Sequence, residues 1–275
     1  MTSTNGSTER SRPVSTAAVI SHGRLDVRAA VERVRAVAEA AGVTLLPEDA
    51  DPRGADLAVA LGGDGTMLRT LGRLLSSDTP LIGVNFGRVG FLAAIEPDHL
   101  ERDLARVFAG EYVVVELPTL EAEIGAETHV AVNDVVVTSA TLGRMVEIAW
   151  AVGGEDLGTI PCDGIICSTP SGSTAYNLSN GGPVLVQGLD AMAVTFIAPH
   201  SLHARPLVLP RGPDVTVVNR TPDVDVVVLV DGHRVNEVGP GAPVAIRLCA
   251  QRSLLATLPE TTFFSRYRET FTSHE

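Results

Sequence analysis

The sequence predicts two domains: a doubly wound, Rossmann-like α/β domain, followed by a β-rich domain of sandwich-like character. Over residues 16–112, apolar runs of strand length alternate with segments whose apolar residues recur at helical spacing, a pattern typical of a parallel sheet covered by helices. From about Glu111 onward, short β-branched runs are separated by Gly, Pro, Asp and Asn, which indicates a domain built from sheets. A chain of 275 residues, 45% of them hydrophobic, is long enough to form both cores.

The two patterns set the expected domain boundaries. The polar stretch 1–15 is rich in Ser and Thr and is expected to be a disordered tail. Residues 16–112 form the predicted α/β domain, and residues 113–258 form the predicted β-rich domain. The final stretch, 259–275, carries aromatic and arginine side chains and is expected to return to the first domain.

The elements of the first domain follow from apolar spacing and from the residues that end each run. In Asp26–Ala41, apolar residues recur at helical spacing and Gly42 follows, which predicts a helix. Another helical pattern begins at Pro97 and ends at Gly110. The remaining expected elements are strands at 17–20, 43–46, 57–61 and 81–85, and a helix from Thr66 to about Ser76.

The second domain is expected to consist almost entirely of strands. Its β-branched runs lie at 112–117, 119–124, 130–138, 146–152, 165–168, 194–197, 215–218, 226–230 and 244–248. The polar segment Ser168–Pro183 interrupts this pattern and holds little that a core would accept. Such a density of hydroxyls and glycines forms either a solvated linker or the lining of a polar ligand site. Ligand lining is favoured, because Thr174–Ser179 has a helix-like start and Tyr176 offers a flat face for a base.

The most informative segment of the first domain is Gly62–Thr66, Gly-Gly-Asp-Gly-Thr, which follows the apolar run at 57–61. A strand, a glycine turn and a helix in this order let backbone N–H groups approach an anion at a helix N-terminus. Thr66 is predicted to be the N-cap of that helix. Asp64 is unusual here, since a carboxylate repels phosphate unless it accepts a proton or binds a metal ion. The segment indicates phosphoryl chemistry, although the same residues are also ordinary turn formers.

Composition excludes several classes of protein. The formal net charge of −12 argues against a nucleic-acid binder, and no apolar run approaches the length of a membrane span. All 21 basic residues are arginine, which excludes P-loop NTPases, protein kinases and PLP enzymes because each needs a lysine in its site. The three cysteines are too few and too irregular for a disulfide framework or a zinc site. They are expected to be small buried residues of a cytoplasmic protein.

Polar residues on the strands of the second domain are further candidates for the site. Asn133 and Asp134 interrupt a valine-rich strand, and Asp163 directly precedes another strand. Carboxylates at such positions suit ribose hydroxyls, since they accept strong hydrogen bonds. For Asn133 and Asp134, a β-bulge or a turn stays an equal alternative.

Together these motifs resemble the NAD kinase family, also called inorganic polyphosphate/ATP-NAD kinase. The matching segments, in the family's order, are Gly-Gly-Asp-Gly-Thr at 62–66, Asn-Phe-Gly-Arg-Val-Gly-Phe-Leu at 85–92, Asn-Asp at 133–134, Asp-Gly at 163–164, the polar segment 168–183, Ala-Pro-His-Ser-Leu at 198–202, Arg-Pro-Leu-Val at 205–208 and Asp-Gly at 231–232. The Gly-Gly-Asp-Gly turn is shared with lipid kinases such as diacylglycerol kinases, whereas the Thr-Pro-Ser-Gly-Ser-Thr-Ala-Tyr segment is much more specific.

The resemblance implies transfer of a phosphoryl group from ATP or polyphosphate to the 2′-hydroxyl of the adenosine ribose of NAD, giving NADP. It implies Mg²⁺ or another divalent cation, a homo-oligomer (dimer or tetramer), and small-molecule partners alone. Asp64 would be the catalytic proton acceptor and a candidate contact of the cation. The residues implied to bind NAD are Asp64, Gly65, Arg69, Asn133, Asp134, Arg144, Asp163, Thr174, Ala175, Tyr176, Asn177, Leu178, Ser179, Ala198 and His233.

One position departs from the family pattern. Many bacterial relatives carry an arginine two residues before the carboxylate that matches Asp163, and here that residue is Pro161. Arg144 or Arg88 would then compensate for the missing guanidinium at a phosphate.

Two other functions stay open. A lipid kinase with the same glycine turn would need an apolar acceptor cavity or a membrane-facing surface, and the acidic charge and the polar segment 168–183 speak against it. A non-catalytic sensor would bind NAD without turnover, and the intact Asp64 speaks against that function.

Overall fold

The computed structural model describes residues 7–10, 12–21, 28–87 and 90–272 of the chain. The chain forms two compact units, Met1–Leu117 together with Arg252–Glu275, and Pro118–Gln251. The first unit contains helices on a parallel sheet and the second contains antiparallel sheets. The predicted fold class, an α/β part and a β-rich part, is confirmed.

The first unit is built on a parallel sheet. Its N-terminal elements are β1 (Ser7–Arg10), β2 (Thr16–Ser21), α1 (Arg28–Ala41), β3 (Thr44–Leu45), β4 (Leu57–Gly62), α2 (Asp64–Arg73), β5 (Leu81–Asn85) and α3 (Leu100–Phe108). Four strands pair in the order β3-β2-β4-β5, all parallel. β4 is buried along its whole length, as expected of a parallel strand covered on both faces.

Helices α1 and α3 bury their apolar faces against this sheet. Val34 of α1 and Leu104 of α3 belong to one core cluster with Leu57 of β4 and Ile82 of β5. The buried residues of α1 recur at the spacing that the sequence predicts for a helix. Gly42 follows α1 with a φ of +69°, a conformation that glycine adopts without steric cost at a helix C-terminus.

Helix α2 begins earlier than predicted. Its first residue is Asp64, and Gly63 rather than Thr66 occupies the N-cap position, so the N-cap prediction for Thr66 is wrong. Thr66 lies in the first turn, where its N–H donates to the Gly63 carbonyl over 2.8 Å. The Thr66 side chain packs directly against Gly62, where an added Cβ would lie 2.4 Å from Thr66 Oγ1.

Other bounds also differ from the sequence prediction. The structure places β1 within the stretch for which disorder is expected, and β1 pairs antiparallel with the strand that begins at Tyr112. Helix α3 is preceded by a 3₁₀ turn at Pro97–His99, so Pro97 begins that turn rather than the α-helix. Asp26, the predicted start of the first helix, lies outside the described residues.

The second unit consists of antiparallel strands and one short helix in its described part. The strands that lie in it or enter it, with the helix, are β6 (Tyr112–Ile124), β7 (Glu127–Ala131), β8 (Asp134–Ser139), β9 (Val146–Val152), β10 (Glu155–Cys162), β11 (Gly164–Ser168), α4 (Tyr176–Ser179), β12 (Ala191–Ile197), β13 (Leu207–Pro210), β14 (Val215–Asn219), β15 (Val226–Val230), β16 (His233–Val238) and β17 (Pro243–Thr257). One sheet has the order β13-β12-β11-β8-β15-β16, and the strands β10-β9-β14-β17 pair in another.

The two groups of strands share one core. Val137 of β8 and Val217 of β14 belong to the same buried cluster, and Trp150 of β9 meets Phe196 of β12 edge to face at 5.3 Å. This is the packing of a sandwich. The sequence did not predict β10, β13 and β16, whose residues are largely exposed or half-buried and therefore lack a strong apolar signal.

The last element, α5 (Phe263–Phe271), belongs to the first unit. It begins with a capping box, in which the Thr262 and Ser265 side chains each accept the other residue's backbone N–H.

The three cysteines form no disulfide. Cys162 and Cys167 are buried free thiols and Cys249 is half-buried. Burial raises the pKa of the first two thiols to about 12, so they are inert packing residues. Among the described helices, none is long and apolar enough to cross a membrane.

Candidate functional site

The predicted site residues fall into two clusters, one in each unit. The first cluster lies where β4 and β5 end, since these parallel strands pair Gly62 with Asn85 at their carboxyl ends. Ligands of parallel α/β sheets commonly bind at this edge. The second cluster lies at the start of β8 and the end of β11, where the polar segment begins, while Asp163 and Ala198 lie at the other end of these strands.

The glycines of the first cluster are needed for close approach of two chain segments. A Cβ on Gly87 would lie 3.2 Å from the Cα of Gly63, so the turn after β4 and the loop after β5 are in contact through glycine backbone. The Phe86 N–H donates to the Gly62 carbonyl over 3.0 Å, and the Asn85 side chain accepts the Gly87 N–H over 3.0 Å. These bonds make the glycine turn a fixed part of the sheet edge.

Asp64 is held in one orientation at the first turn of α2. Its carboxylate accepts the Phe91 N–H over 3.0 Å and the Leu92 N–H over 3.3 Å. A Cβ on Gly90 would lie 2.2 Å from Asp64 Oδ2, so the loop passes directly against the carboxylate. Hydrogen bonds from backbone N–H groups to an ionised carboxylate are strong and directional, and they leave lone pairs on both oxygens for a ligand.

Gly65 and Arg69 lie beside this carboxylate on the helix. Both are exposed, and a Cβ on Gly65 would lie 4.0 Å from Arg69 Nη1, so the guanidinium lies next to the glycine. A helix N-terminus with an adjacent guanidinium is a favourable place for an anion such as phosphate. The structure therefore brings three predicted residues together: Asp64, Gly65 and Arg69.

In the second unit, Asp231 organises the strand start at Asn133 and Asp134. Asp231 has a φ of +49°, and its carboxylate accepts the N–H groups of Val132, Asn133 and Asp134 over 2.9, 2.7 and 3.2 Å. The sequence analysis matched Asp231 to a family segment but did not include it among the site residues. Its role is set by backbone bonds across sequence-distant strands, which no local pattern reveals.

Asp134 is a buried carboxylate close to a second one. Burial, and then the charge of Asp231, raise the pKa of Asp134 to about 7. Burial also raises the pKa of Asp231, against the opposing effect of its three backbone hydrogen bonds. Near neutral pH the Asp134 carboxyl group is therefore present in both protonation states, so it can accept or donate a hydrogen bond to a hydroxyl.

Asn133 offers an unsatisfied acceptor beside this pair. Its side-chain oxygen is buried and has no hydrogen-bond partner among the described residues, a condition that native proteins rarely leave uncompensated. Ser171 Oγ is in the same condition. A Cβ on Gly172 would lie 2.2 Å from the Asn133 carbonyl oxygen, and that carbonyl accepts the Thr169 N–H over 2.8 Å. The polar segment thus lies against Asn133.

The segment 168–183 is ordered by its own polar residues. It forms a 3₁₀ turn at Gly172–Thr174 and then α4. Asn177 is buried, donates to the carbonyls of Ser173 and Pro183, and accepts the Thr195 hydroxyl over 2.7 Å. Asn177 therefore holds the segment in place, while Tyr176 is 44% exposed and available to a ligand.

The other members of the predicted set lie at or near this segment or at strand ends. Thr174 and Leu178 are half-buried, and Ala175 and Ser179 are exposed. Asp163 and Ala198 lie next to each other, because the Asp163 N–H donates to the Ile197 carbonyl over 2.9 Å. Both are exposed, and Ala198 has a φ of +43°.

Arg144 and His233 complete the predicted set. Arg144 is exposed in the loop before β9, and no described bond brings its side chain to Asp163. His233 is exposed at the start of β16, with its Nδ1 3.0 Å from the Asp231 carbonyl oxygen. Pro161 lies on β10, an edge strand, where proline is tolerated. Arg88 lies outside the described residues.

A metal ion would need ligands beyond the protein's own carboxylates. The described part of the chain contains no group of three or more His, Cys, Asp or Glu side chains placed to hold a metal. Mg²⁺ is commonly bound by one or two carboxylates together with substrate phosphates and water. Asp64, with lone pairs free on both oxygens, fits that smaller role.

Comparison with known proteins identifies one family for both parts of the chain. The family model of the ATP-NAD kinase N-terminal domain matches residues 24–112, and that of the ATP-NAD kinase C-terminal domain matches residues 132–258. An NAD kinase of Heliobacterium modesticaldum is 42% identical over 219 residues, which cover 78% of this chain and 77% of that protein.

Two solved structures share the fold. The crystal structure of an NAD kinase from Archaeoglobus fulgidus in complex with ATP has a TM-score of 0.78 at 27% identity, covering 94% of this chain and 97% of that one. Yeast NADH kinase complexed with NADH has a TM-score of 0.84 at 21% identity, covering 100% of this chain and 94% of that one. Because both family models match in chain order and the bacterial relative is well above 30% identical, the chain belongs to the NAD kinase family.

Proposed function

We propose that the protein transfers the terminal phosphoryl group of ATP to the 2′-hydroxyl of the adenosine ribose of NAD, giving NADP. The observation that carries this proposal is Asp64, a carboxylate fixed by two backbone N–H groups at the N-terminus of α2, with Arg69 beside it. ATP is favoured as the donor because it is the ligand of the Archaeoglobus fulgidus NAD kinase; inorganic polyphosphate is the second candidate.

Asp64 is the proposed proton acceptor. A ribose hydroxyl is a weak nucleophile at neutral pH, so a carboxylate within hydrogen-bond distance raises its reactivity. As the hydroxyl oxygen forms its bond to the γ-phosphorus, its proton passes to Asp64 and the bond from that phosphorus to the β–γ bridging oxygen breaks, releasing ADP. The protein's remaining contribution is positioning and charge stabilisation, for which the Gly65 N–H and the Arg69 guanidinium are the proposed groups.

A divalent cation is part of the proposal. Mg²⁺ bound with the triphosphate would supply charge neutralisation at the transferred group, and Asp64 would be its protein ligand. The protein's own residues bind and orient the substrates, and Asp64 receives the proton.

The NAD-binding residues proposed for the second unit divide by chemistry. Asn133 and Asp134, with an unsatisfied amide oxygen and a carboxyl that titrates near pH 7, suit ribose hydroxyls. Asp163 and Ala198 form an exposed edge at the other end of β8, where the Ser139 N–H donates to the Asp163 carbonyl. Tyr176 offers a ring face on which a base can stack, and the neighbouring residues of α4 are proposed to enclose that base. The remaining proposed contacts are Thr174, Ala175, Leu178, Ser179 and His233. Asn177 is fully buried and bonded within the protein, so its proposed part is to hold α4 in place.

Arg144 is the proposed substitute for the arginine that relatives carry at the position of Pro161. Since it is exposed on a loop, its guanidinium can reach a phosphate without loss of a structural bond. We further propose that the protein acts in the cytoplasm as a homo-oligomer.

The test is NADP formation from NAD, MgATP and the protein, read through an NADP-specific dehydrogenase, with Asp64→Asn assayed in parallel. We expect the substitution to lower turnover by about a hundred- to ten-thousandfold, the usual contribution of a general base, with the thermal unfolding midpoint nearly unchanged. Wild-type turnover in the variant would overturn the role of Asp64.

The same assay separates the alternative functions. If no NADP forms with ATP, the assay is repeated with polyphosphate as the donor. NAD binding without turnover on either donor would favour the sensor, and transfer to diacylglycerol in mixed micelles would favour the lipid kinase.

A further inference from the structure

The loop 90–96 is held on two opposite sides within the first unit. On one side, the N–H groups of Phe91 and Leu92 donate to the Asp64 carboxylate. On the other side, the same loop contacts helix α5. The end of the loop is also bonded to β5, since the Ala94 and Ile95 N–H groups donate to the Gly83 carbonyl. Helix α5 supports residues 91–93, the part of the loop that carries the donors to Asp64.

Arg266 of α5 supplies the polar part of that support. Its side chain is 7% exposed, its Nη2 donates to the Ala93 carbonyl, and its Nη1 lies 3.8 Å from a Glu96 carboxylate oxygen. Its Nε is buried and has no hydrogen-bond partner within the described part of the chain. Burying a guanidinium with an unpaired N–H costs free energy, so an apolar residue would serve better if packing were the only requirement.

Aromatic contacts supply the apolar part. The Phe91 ring lies 5.8 Å from the Phe263 ring and 5.8 Å from the Phe271 ring, centroid to centroid. Both partners belong to α5. The residue whose N–H donates to Asp64 is thus clamped through its own side chain, while the Ala93 carbonyl two residues further on is fixed by Arg266.

We propose that Arg266 is a positioning residue for Asp64: through the Ala93 carbonyl it fixes the loop whose Phe91 and Leu92 N–H groups orient the carboxylate. The inference rests on the proposed function in one respect, the catalytic role of Asp64. Arg266 touches neither substrate nor the reacting atoms. It acts by limiting where the backbone donors can lie.

The first test needs no enzymatic activity. In protein labelled with [¹⁵N]Phe and [¹⁵N]Leu, the amide proton shifts of Phe91 and Leu92 report their bonds to Asp64, and Asp64→Asn gives the reference for a weakened acceptor. We expect Arg266→Met to move both shifts towards that reference. The matched control is Arg268→Met, the same substitution at an exposed position of α5. Unchanged Phe91 and Leu92 shifts in a folded Arg266→Met protein would overturn the proposal.

The second test is kinetic. Displacing a catalytic group by up to about 1 Å costs about ten- to a hundredfold in rate. Arg266→Met should therefore lower kcat by that factor, with KM for NAD nearly unchanged. Arg266→Lys, which keeps one donor, should recover part of the loss. In an Asp64→Asn background, Arg266→Met should have no further effect, because the group it positions is already gone. An equal loss in both backgrounds would show that Arg266 supports the fold alone.

The two tests fail separately. If the wild type makes no NADP from either donor, the proposed function fails and the amide shifts still decide whether Arg266 positions the loop. If Arg266→Met does not fold, Phe263→Leu, which loosens the contact with the Phe91 ring, is measured in the same way. Unchanged amide shifts and unchanged kcat in that variant would count against the proposal.

Discussion

At the scale of single residues, the Asp134 and Asp231 carboxyls give the second unit a pH dependence. Burial raises the pKa of Asp134 from 3.8 to about 7, so the folded protein holds this proton more tightly than the unfolded chain does. The stability that Asp134 contributes is therefore present at acid pH and is lost as the pH rises from about 4 to about 7.

Asp134→Asn should remove that loss. The gain in free energy of unfolding, variant minus wild type, should grow between pH 5 and pH 8 and reach about 2–4 kcal/mol, since one pKa unit corresponds to about 1.4 kcal/mol. Urea unfolding followed by the fluorescence of Trp150, the one tryptophan of the chain, reports on the unit that contains Asp134. The measurement at pH 5 is the internal control. A difference that stays constant across the pH range would contradict the raised pKa.

Residue chemistry was predictable from sequence where type and position alone carry the signal. Asp64 stands out because a carboxylate in a glycine turn is anomalous, and in the structure this carboxylate accepts two backbone N–H groups. Arg266 and Asp231 could not be found in the same way. Their partners are main-chain groups of sequence-distant segments, and a backbone N–H or carbonyl leaves no trace in the residue type.

At the scale of elements, the turn between β4 and α2 works because glycine backbone can approach without Cβ atoms. Gly90→Ala should displace the Asp64 carboxylate, since the added Cβ would lie 2.2 Å from its Oδ2. We expect kcat to fall by about a hundredfold, the cost of misplacing a catalytic group by about 1 Å, with KM changed less.

The matched control for this turn is Gly72→Ala, on α2 itself. A Cβ there would meet nothing within 4 Å, and alanine in a helix interior is more stable than glycine by about 0.5–1 kcal/mol. That variant should be slightly more stable and fully active. Full activity in Gly90→Ala would show that the loop can move away from Asp64 without harm.

Element boundaries were the less predictable part of the fold. The periodic spacing of α1 and the uninterrupted apolar run of β4 predict those elements from sequence, because in each of them the buried positions are apolar. The start of α2 is less visible, because its N-cap is Gly63, which makes no side-chain cap hydrogen bond. The strand β10 carries mostly exposed residues, so its pairing with β9 is a property of the sheet and not of its own composition.

At the scale of the whole molecule, the change from helical to strand periodicity predicts two units. It cannot predict where the chain passes from one unit to the other, because β6 and β17 each cross that boundary without a break in strand character.

Composition also carries information at the scale of the whole molecule. All 21 basic residues are arginine, so any permanently charged side chain that meets a phosphate in this protein is a guanidinium.

The lysine-free composition predicts a chemical selectivity that other phosphoryl-transfer enzymes lack. An amine-acylating reagent should label the α-amino group alone and leave NADP formation unchanged. Phenylglyoxal, which modifies guanidinium groups, should abolish activity, and MgATP should slow that loss if Arg69 lies at the donor phosphates. Arg69→Met is treated with phenylglyoxal in the presence and in the absence of MgATP. If Arg69 is the protected residue, MgATP no longer slows the inactivation of this variant. A protein kinase, which depends on a lysine, is the control that acylation should inactivate. Inactivation of this protein by acylation, with one label per chain by mass spectrometry, would mean that its N-terminus and not an arginine meets the phosphates.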